Sequence, residues 1–281
     1  MRHLPWRDIP DASEAEASWA RVVNRLHYQI VHQDPRNFLE WGTLGTMFVG
    51  NDPFVFPELD YLKQLPQWSE RWKNAIVESN VGRPARFPAH PESSGNRIHH
   101  AYHLAQFEEK TGQRIAGSNF IFEFGGGYGS MCLLVHRLGF TGKYVIFDLA
   151  EFACLQSFYL KSMGLQFLDP NTFNPAGSGI VSTSSRPLLA DILSRHRESN
   201  RVFIATWSIS ETSIPFRQDI LSLVREFDAY LIAYQQSFGE VDNVDFFSRL
   251  KHEWEDIDWY DWDIPHIAGS RYLMGIRRRR S

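Results

Sequence analysis

The feature that most constrains this chain is a glycine cluster set between a strand and a helix, Phe122-Glu123-Phe124-Gly125-Gly126-Gly127-Tyr128-Gly129-Ser130. Asn119 to Phe124 reads as a short apolar strand and Ser130 to Leu138 as a helix. Glycines at such a junction let the chain turn tightly and let a ligand approach the backbone. The free N–H groups of the helix start then lie beside that ligand. A second strand, Tyr144-Val145-Ile146-Phe147, runs into Asp148, nineteen residues after Gly129. In a doubly wound sheet an acid at that point reaches the ribose hydroxyls of a nucleoside held over the first loop.

The rest of the second part alternates in the same way. Lys143 to Phe147 is a strand and Leu149 to Met163 a helix; Arg201 to Thr206 is a strand and Ile214 to Phe227 a helix. Ala229 to Tyr234 is a strand, and Trp254 to Trp262 and Ser270 to Arg277 are two strands joined around Pro265 and Gly269. This alternation predicts an α/β, Rossmann-like fold: a mainly parallel sheet with helices on both faces. The last link is too short for a parallel crossover, so the final two strands form a closing antiparallel hairpin. Leu165 to Ser185, where a third strand belongs, is rich in Gly, Pro and Ser and poorly patterned.

Residues 1–115 differ from residues 116–281. Ser13 to His32 reads as an amphipathic helix capped by Ser13, and Trp41 to Pro57 as a loop. Tyr61 to Ser79 is helical with a break at Pro66, and Val81 to Asn96 is a loop. Arg97 to Thr111 is a helix stopped by Gly112. The expected division is a helical N-terminal lid over residues 1–115 and a sheet domain over 116–281. The aromatic-rich lid covers the carboxyl edge of the sheet, or serves a homodimer contact.

Composition excludes several classes. Hydrophobic residues are 43% and charged residues 22%, a globular balance rather than a disordered one. A formal net charge of −4 provides no field for nucleic acid. No apolar run is long enough to span a membrane. The start, MRHLPWRDIPDASEAEA, turns polar where a signal peptide needs an apolar run, so a cytoplasmic location is expected. Cys132 and Cys154 sit in apolar stretches and read as buried free thiols; Arg277 to Arg280 read as a solvated end.

The dinucleotide fingerprint, started at Gly125, requires glycine at position 130, where Ser130 stands. An acid at Glu123 repels a pyrophosphate and suits a cationic amine or sulfonium. Glu123-x-Gly125-x-Gly127-x-Gly129 with Asp148 resembles the class I S-adenosylmethionine-dependent methyltransferases, whose sheet ends in an antiparallel hairpin. More narrowly, Phe122 to Ser130, Tyr144 to Leu149, Trp207 to Glu211 and Ser94 to His103 resemble the sugar O-methyltransferases of bacterial polysaccharide and antibiotic pathways. The resemblance implies that Glu123, Gly125, Gly126, Gly127, Tyr128 and Gly129 hold the methionine part of S-adenosylmethionine. It implies that Asp148 binds the ribose and that Leu149 packs near adenine. The implied acceptor is a sugar hydroxyl, nucleotide-linked, in a glycan or on a glycosylated metabolite. The competing readings are an NAD(P)-dependent oxidoreductase and a catalytically silent binding module.

Methyl transfer to a hydroxyl needs an aligned oxygen and a group that removes its proton. His100, His103, Glu211 and His266 are the candidate bases. His99 and His103 share a helix face. Asn96, His99, Ser208, Gln235 and Asn243 are expected to contact the acceptor; Trp207 is expected among the cofactor-binding residues, and either stacks on a sugar face or belongs to the core. Glu211 equally serves as a cap for the helix from Ile214. A divalent ion orienting two hydroxyls is an alternative, but no partner carboxylate is fixed by spacing, so no metal-ligand set is expected.

Overall fold

The computed structural model describes residues 14–169 and 178–278. The N-terminal part contains α1 (Glu14–His32), α2 (Val55–Gln64), α3 (Lys73–Ala75), β1 (Arg86–Phe87), β2 (His90–Ser94) and α4 (Gly95–Thr111). There follow β3 (Phe120–Phe124), α5 (Ser130–Arg137), β4 (Lys143–Phe147), α6 (Ala150–Ser162), β5 (Gly179–Thr183) and α7 (Arg186–Arg195). The chain continues through β6 (Arg201–Thr206), α8 (Ile214–Val224), β7 (Ala229–Gln235), β8 (Ser237–Phe238) and β9 (Val241–Asp242). It closes with α9 (Asn243–Glu253), β10 (Ile257–Asp263) and β11 (Ser270–Arg277).

Seven strands form the central sheet, in the order β10-β11-β7-β6-β3-β4-β5. β3 to β7 are parallel, and β11 runs antiparallel to both β7 and β10. The parallel strands follow the doubly wound order, so the chain reverses direction across the sheet between β3 and β6. The last strand inserts between its two predecessors. The fold is therefore Rossmann-like α/β with a closing antiparallel hairpin.

Alternation along the strands sorts side chains between two cores. Ile121, Ile146, Val202, Ile204, Leu231 and Met274 pack on one face under α4, α5 and α6. Phe122, Val145, Phe203, Ile232 and Leu273 pack on the other face with α7, α8 and α9. β3 and β4 are buried throughout, which is why they read as near-continuous apolar runs apart from Glu123 and Lys143. The first core is continuous from Leu26 to Met274, so the N-terminal part and the sheet share it.

Several elements differ from the sequence reading. Residues 81–96, expected as a loop, hold the β1–β2 hairpin, and α4 starts at Gly95. The third strand is β5, paired parallel to β4, and Ser185 then caps α7 through the Leu188 N–H. α7 and α9 have no counterpart in that reading. Cys132 is buried but Cys154 is exposed, on the outer side of α6. Arg277 is no solvated end: its guanidinium pairs with Asp256 and donates to the Phe227 carbonyl (2.8 Å). Ser13, Arg279 and Arg280 lie outside the described residues. No helix among the described residues is long and apolar enough to cross a membrane.

α4 is held at both ends. Ser94 Oγ accepts from the Arg97 N–H (3.1 Å), and Gly112 takes the left-handed conformation (φ 69°) that ends the helix. At its first residue the helix backbone rests on another backbone: a Cβ on Gly95 would lie 1.7 Å from the Gly50 carbonyl oxygen. Gly95→Ala should therefore destabilise the fold by about 1–3 kcal/mol, the range for overpacking a close contact. Gly117→Ala, whose Cβ meets nothing within 4 Å, is the control. Urea unfolding of both variants checks this, and equal midpoints would refute the contact.

Candidate active site

The carboxyl ends of β3, β4 and β6 open into one cavity of about 550 Å³. The sheet side of its wall contains Glu123, Gly125, Gly126, Gly127, Tyr128, Asp148 and Leu149. The β6 side contributes Trp207, Ser208 and Glu211. The N-terminal part closes it with Trp19, Phe48, Phe54, Asn96, His99 and His100. Gly129, Gln235, Asn243, His103 and His266 stand outside the wall.

Asp148 organises the glycine loop. Its Oδ2 accepts from the Gly127 N–H (2.9 Å) and from Gln156 Nε2 (3.1 Å); its Oδ1 accepts from the Leu149 N–H (2.7 Å). Gln156 also donates to the Gly127 carbonyl (2.8 Å) and accepts from Ser182 Oγ (2.6 Å). Burial pushes the Asp148 carboxyl up to about 7, against the pull of these donors. Glu123, at the end of β3, is almost inaccessible and accepts from the Tyr144 hydroxyl (2.9 Å). Burial pushes its carboxyl up to about 8, and the Asp148 charge acts in the same direction.

The glycines are used differently from the simple expectation of a bare cradle. A Cβ at Gly125 (φ 73°) would lie 2.2 Å from Ser208 Cβ, and one at Gly127 (φ 53°) would lie 2.7 Å from the Phe48 ring. One glycine thus admits the β6 loop and the other admits the N-terminal part. A Cβ at Gly129 would strike Leu160, so this glycine serves packing on α6. Tyr128 packs against Phe38, Phe48 and Tyr159, and its hydroxyl accepts from Asn96 Nδ2 (3.1 Å).

Trp207 turns the chain out of β6 at φ 62°, an unfavourable conformation for a bulky residue. Its N–H donates to the Ala233 carbonyl (2.6 Å), and its ring lies 5.2 Å from both His99 and His103. Ser208 Oγ donates to the Phe124 carbonyl. The 3-10 turn Ser208–Glu211 then presents Glu211 to the cavity, where burial pushes its carboxyl up to about 7. His100 carries a buried Nδ1 with no partner among the described residues. Burial, with the Arg97 charge acting the same way, holds its ring well below the usual imidazole range, hence neutral.

Behind this wall lies a network that sequence reading missed. Glu58 is fully buried and accepts from His99 Nδ1 (2.8 Å) and His266 Nε2 (2.9 Å). Burial acts to raise this carboxyl, but the two imidazole contacts prevail and hold it below its ordinary value. The other end is Tyr272, whose hydroxyl donates to His103 Nδ1. Burial keeps His103 neutral, so its Nε2 donates to His99 Nε2 (3.0 Å). His103 and His266 thus support the wall rather than face the cavity. Glu58 carries no sequence signal, because His99 and His266 lie 41 and 208 residues away.

Gln235 and Asn243, expected at the acceptor, also stand behind the wall. Asn243 donates to the carbonyls of Gln235 (2.8 Å) and Ser210 (3.3 Å), while Gln235 Oε1 lies within reach of the Ser210 hydroxyl (2.7 Å). Among the described residues no group of three His, Cys, Asp or Glu side chains could hold a metal ion.

No protein-family model matches the chain, and no curated protein matches it. Solved structures do. Magnesium protoporphyrin IX methyltransferase (ChlM) from Synechocystis PCC 6803 with bound SAH is 9% identical at TM-score 0.45, over 80% of this chain and 100% of that one. The SAH-bound methyltransferase PaMTH1 of Podospora anserina is 8% identical at TM-score 0.43, over 97% and 99%. An rRNA methylase from Streptococcus thermophilus is 11% identical at TM-score 0.42, over 59% and 92%. Likeness at this level carries no argument about chemistry, which rests on the geometry above.

The buried Glu123 has a consequence for stability. Its carboxyl keeps a proton in the folded protein up to about pH 8, whereas its ordinary value is 4.5. Between these limits the folded state binds more protons than the unfolded one, so stability falls as pH rises. Glu123→Gln should flatten this fall in thermal melts; an unchanged slope would show that Glu123 ionises freely.

Proposed function

We propose that this chain is a cytoplasmic S-adenosylmethionine-dependent O-methyltransferase that methylates a sugar hydroxyl. Residues 116–281 hold the cofactor, and residues 1–115 shape the acceptor pocket. The observation that carries this reading is the pair Glu123, buried, and Asp148, half-buried, two carboxyls at the ends of adjacent strands in one cavity.

The donor set fits that cofactor. Glu123, protonated in the free site, gives up its proton to balance a cationic amine. Each Asp148 oxygen has room for about two hydrogen bonds, and Oδ1 uses one, so a ribose hydroxyl can be added. A pyrophosphate would meet both acids. The antiparallel strand inserted beside β7 also departs from the all-parallel dinucleotide order. Both points disfavour the oxidoreductase.

When bound, the cofactor would supply an activated methyl group on a sulfonium, with the neutral thioether as leaving group. The chain's own residues align that oxygen and remove its proton. Glu211 is the base, because a carboxyl near pH 7 is matched to proton removal at neutral pH. His100, neutral and with no partner at Nδ1 among the described residues, holds an acceptor hydroxyl. Trp207, Phe54 and Phe48 form the apolar walls, with Asn96 and Ser208 as polar points among them.

Calorimetry with S-adenosylhomocysteine, NAD and NADP, then labelled methyl transfer to a panel of sugars, tests the reading. S-adenosylhomocysteine alone should bind, and better as pH rises towards 8 while Glu123 ionises. Asp148→Ala should weaken that binding by roughly 1.5–3 kcal/mol. Glu211→Gln should cut turnover about 10²–10⁴-fold with cofactor affinity unchanged. Preferential binding of NAD would transfer the chain to the oxidoreductases.

A further inference from the structure

Arg217, on α8, is completely buried, yet among the described residues its fork reaches only neutral acceptors. Nη1 donates to Asn243 Oδ1 (2.7 Å), and Nη2 to the carbonyls of Ser210 (2.8 Å) and Thr212 (3.0 Å). Its Nε is buried and has no partner among the described residues, and the guanidinium lies 4.6 Å from the Phe246 ring. Burying a cation against neutral groups is costly. The two carbonyls it grips flank Glu211.

This one cation sets the orientation of the Asn243 amide. A guanidinium cannot accept, so Asn243 must present Oδ1 to it. The Asn243 amide protons then go to the Ser210 and Gln235 carbonyls. The Ser210 hydroxyl lies within reach of both the Trp207 carbonyl (2.6 Å) and Gln235 Oε1 (2.7 Å), and the Gln235 amide nitrogen is turned towards Glu211 Oε1 (3.5 Å).

We propose that Arg217, Asn243 and Gln235 are positioning residues: they fix the Ser208–Glu211 turn and aim one amide donor at the Glu211 carboxylate. The function of Glu211 as base rests on the reading above; its placement by these three residues does not. Removing the Gln235 donor leaves burial to act alone, so Glu211 becomes harder to ionise. Replacing the Arg217 fork by a lysine point charge releases carbonyls that only a fork can hold together.

The test uses the full chain labelled with [δ-¹³C]glutamate, with the Glu211 signal assigned by its loss in Glu211→Gln. Gln235→Leu should move the Glu211 titration to higher pH, and the rising limb of turnover against pH should move with it. Arg217→Lys and Asn243→Ala should lower kcat about 10- to 100-fold, with acceptor KM and S-adenosylhomocysteine affinity near wild type. Should Arg217→Lys fail to fold, Gln235→Leu still decides. An unmoved Glu211 titration in Gln235→Leu overturns the proposal, whatever the turnover. A shifted titration in a protein that transfers no methyl group supports the positioning network and refutes the methyltransferase reading instead.

Discussion

Arg97 is the contact on which the site depends. Its guanidinium is fully buried, ion-paired with Glu78 (3.4 Å), and donates to the Ser130 carbonyl (2.8 Å) and the Tyr159 hydroxyl (2.7 Å). One side chain therefore joins α4, the segment after α3, the start of α5 and α6. Ser130 opens α5 directly after the glycine loop, so the position of that loop relative to the N-terminal part is set here. A buried pair of this kind is weak evidence for added stability, but removing one partner strands a charge and is severe. Asn96, His99 and His100 reach the cavity because the adjacent Arg97 points the other way, into the core.

The cavity itself is electrostatically unusual. Glu123, Asp148 and Glu211 all face it, and burial raises all three above ordinary carboxyl values. The imidazole rings of His100 and His103 are kept neutral by the same low-dielectric surroundings. Groups that water would leave charged are thus held near their neutral forms until something with complementary charge arrives. The exception is Glu58, whose two imidazole donors keep it ionised behind the wall. It sets the orientation of His99 without facing a ligand.

The sheet was legible wherever burial is uniform. β4, β6 and β11 have the bounds their apolar patterns predict, and the acid after β4 lies where the doubly wound order requires. α7 escaped because its signals, Ser185, Pro187 and apolar residues at 189, 192 and 193, follow a stretch of Gly, Pro and Ser that reads as loop. α9 buries Asn243, Phe247 and Leu250 at helical spacing, but it opens within Glu240, Asp242, Asn243 and Asp245, polar residues past a strand end that read as loop. The role of Glu58 was not legible, since its partners are distant in sequence, and that of Arg217 was not, since two of its partners are backbone carbonyls, which every residue carries. Gln235 and Asn243 were singled out for their chemistry and their place past a strand end. That logic cannot tell which side of a wall a side chain takes.

The continuous first core bears on biosynthesis. α4 packs on β11, and its His103 meets Tyr272, 169 residues later. While the chain is being made, the apolar face of α4 cannot find its final partner until the last strand emerges. Contacts this remote in sequence form late and slow folding. Until then α4 rests on α2 and α5 while His103 lacks its partner, and a surface so left incomplete is what chaperones recognise and aggregates share. A chain stopped short of residue 270 would keep the glycine loop, both cofactor-side acids and every wall-lining residue of the cavity, yet lack the strand against which its roof is set.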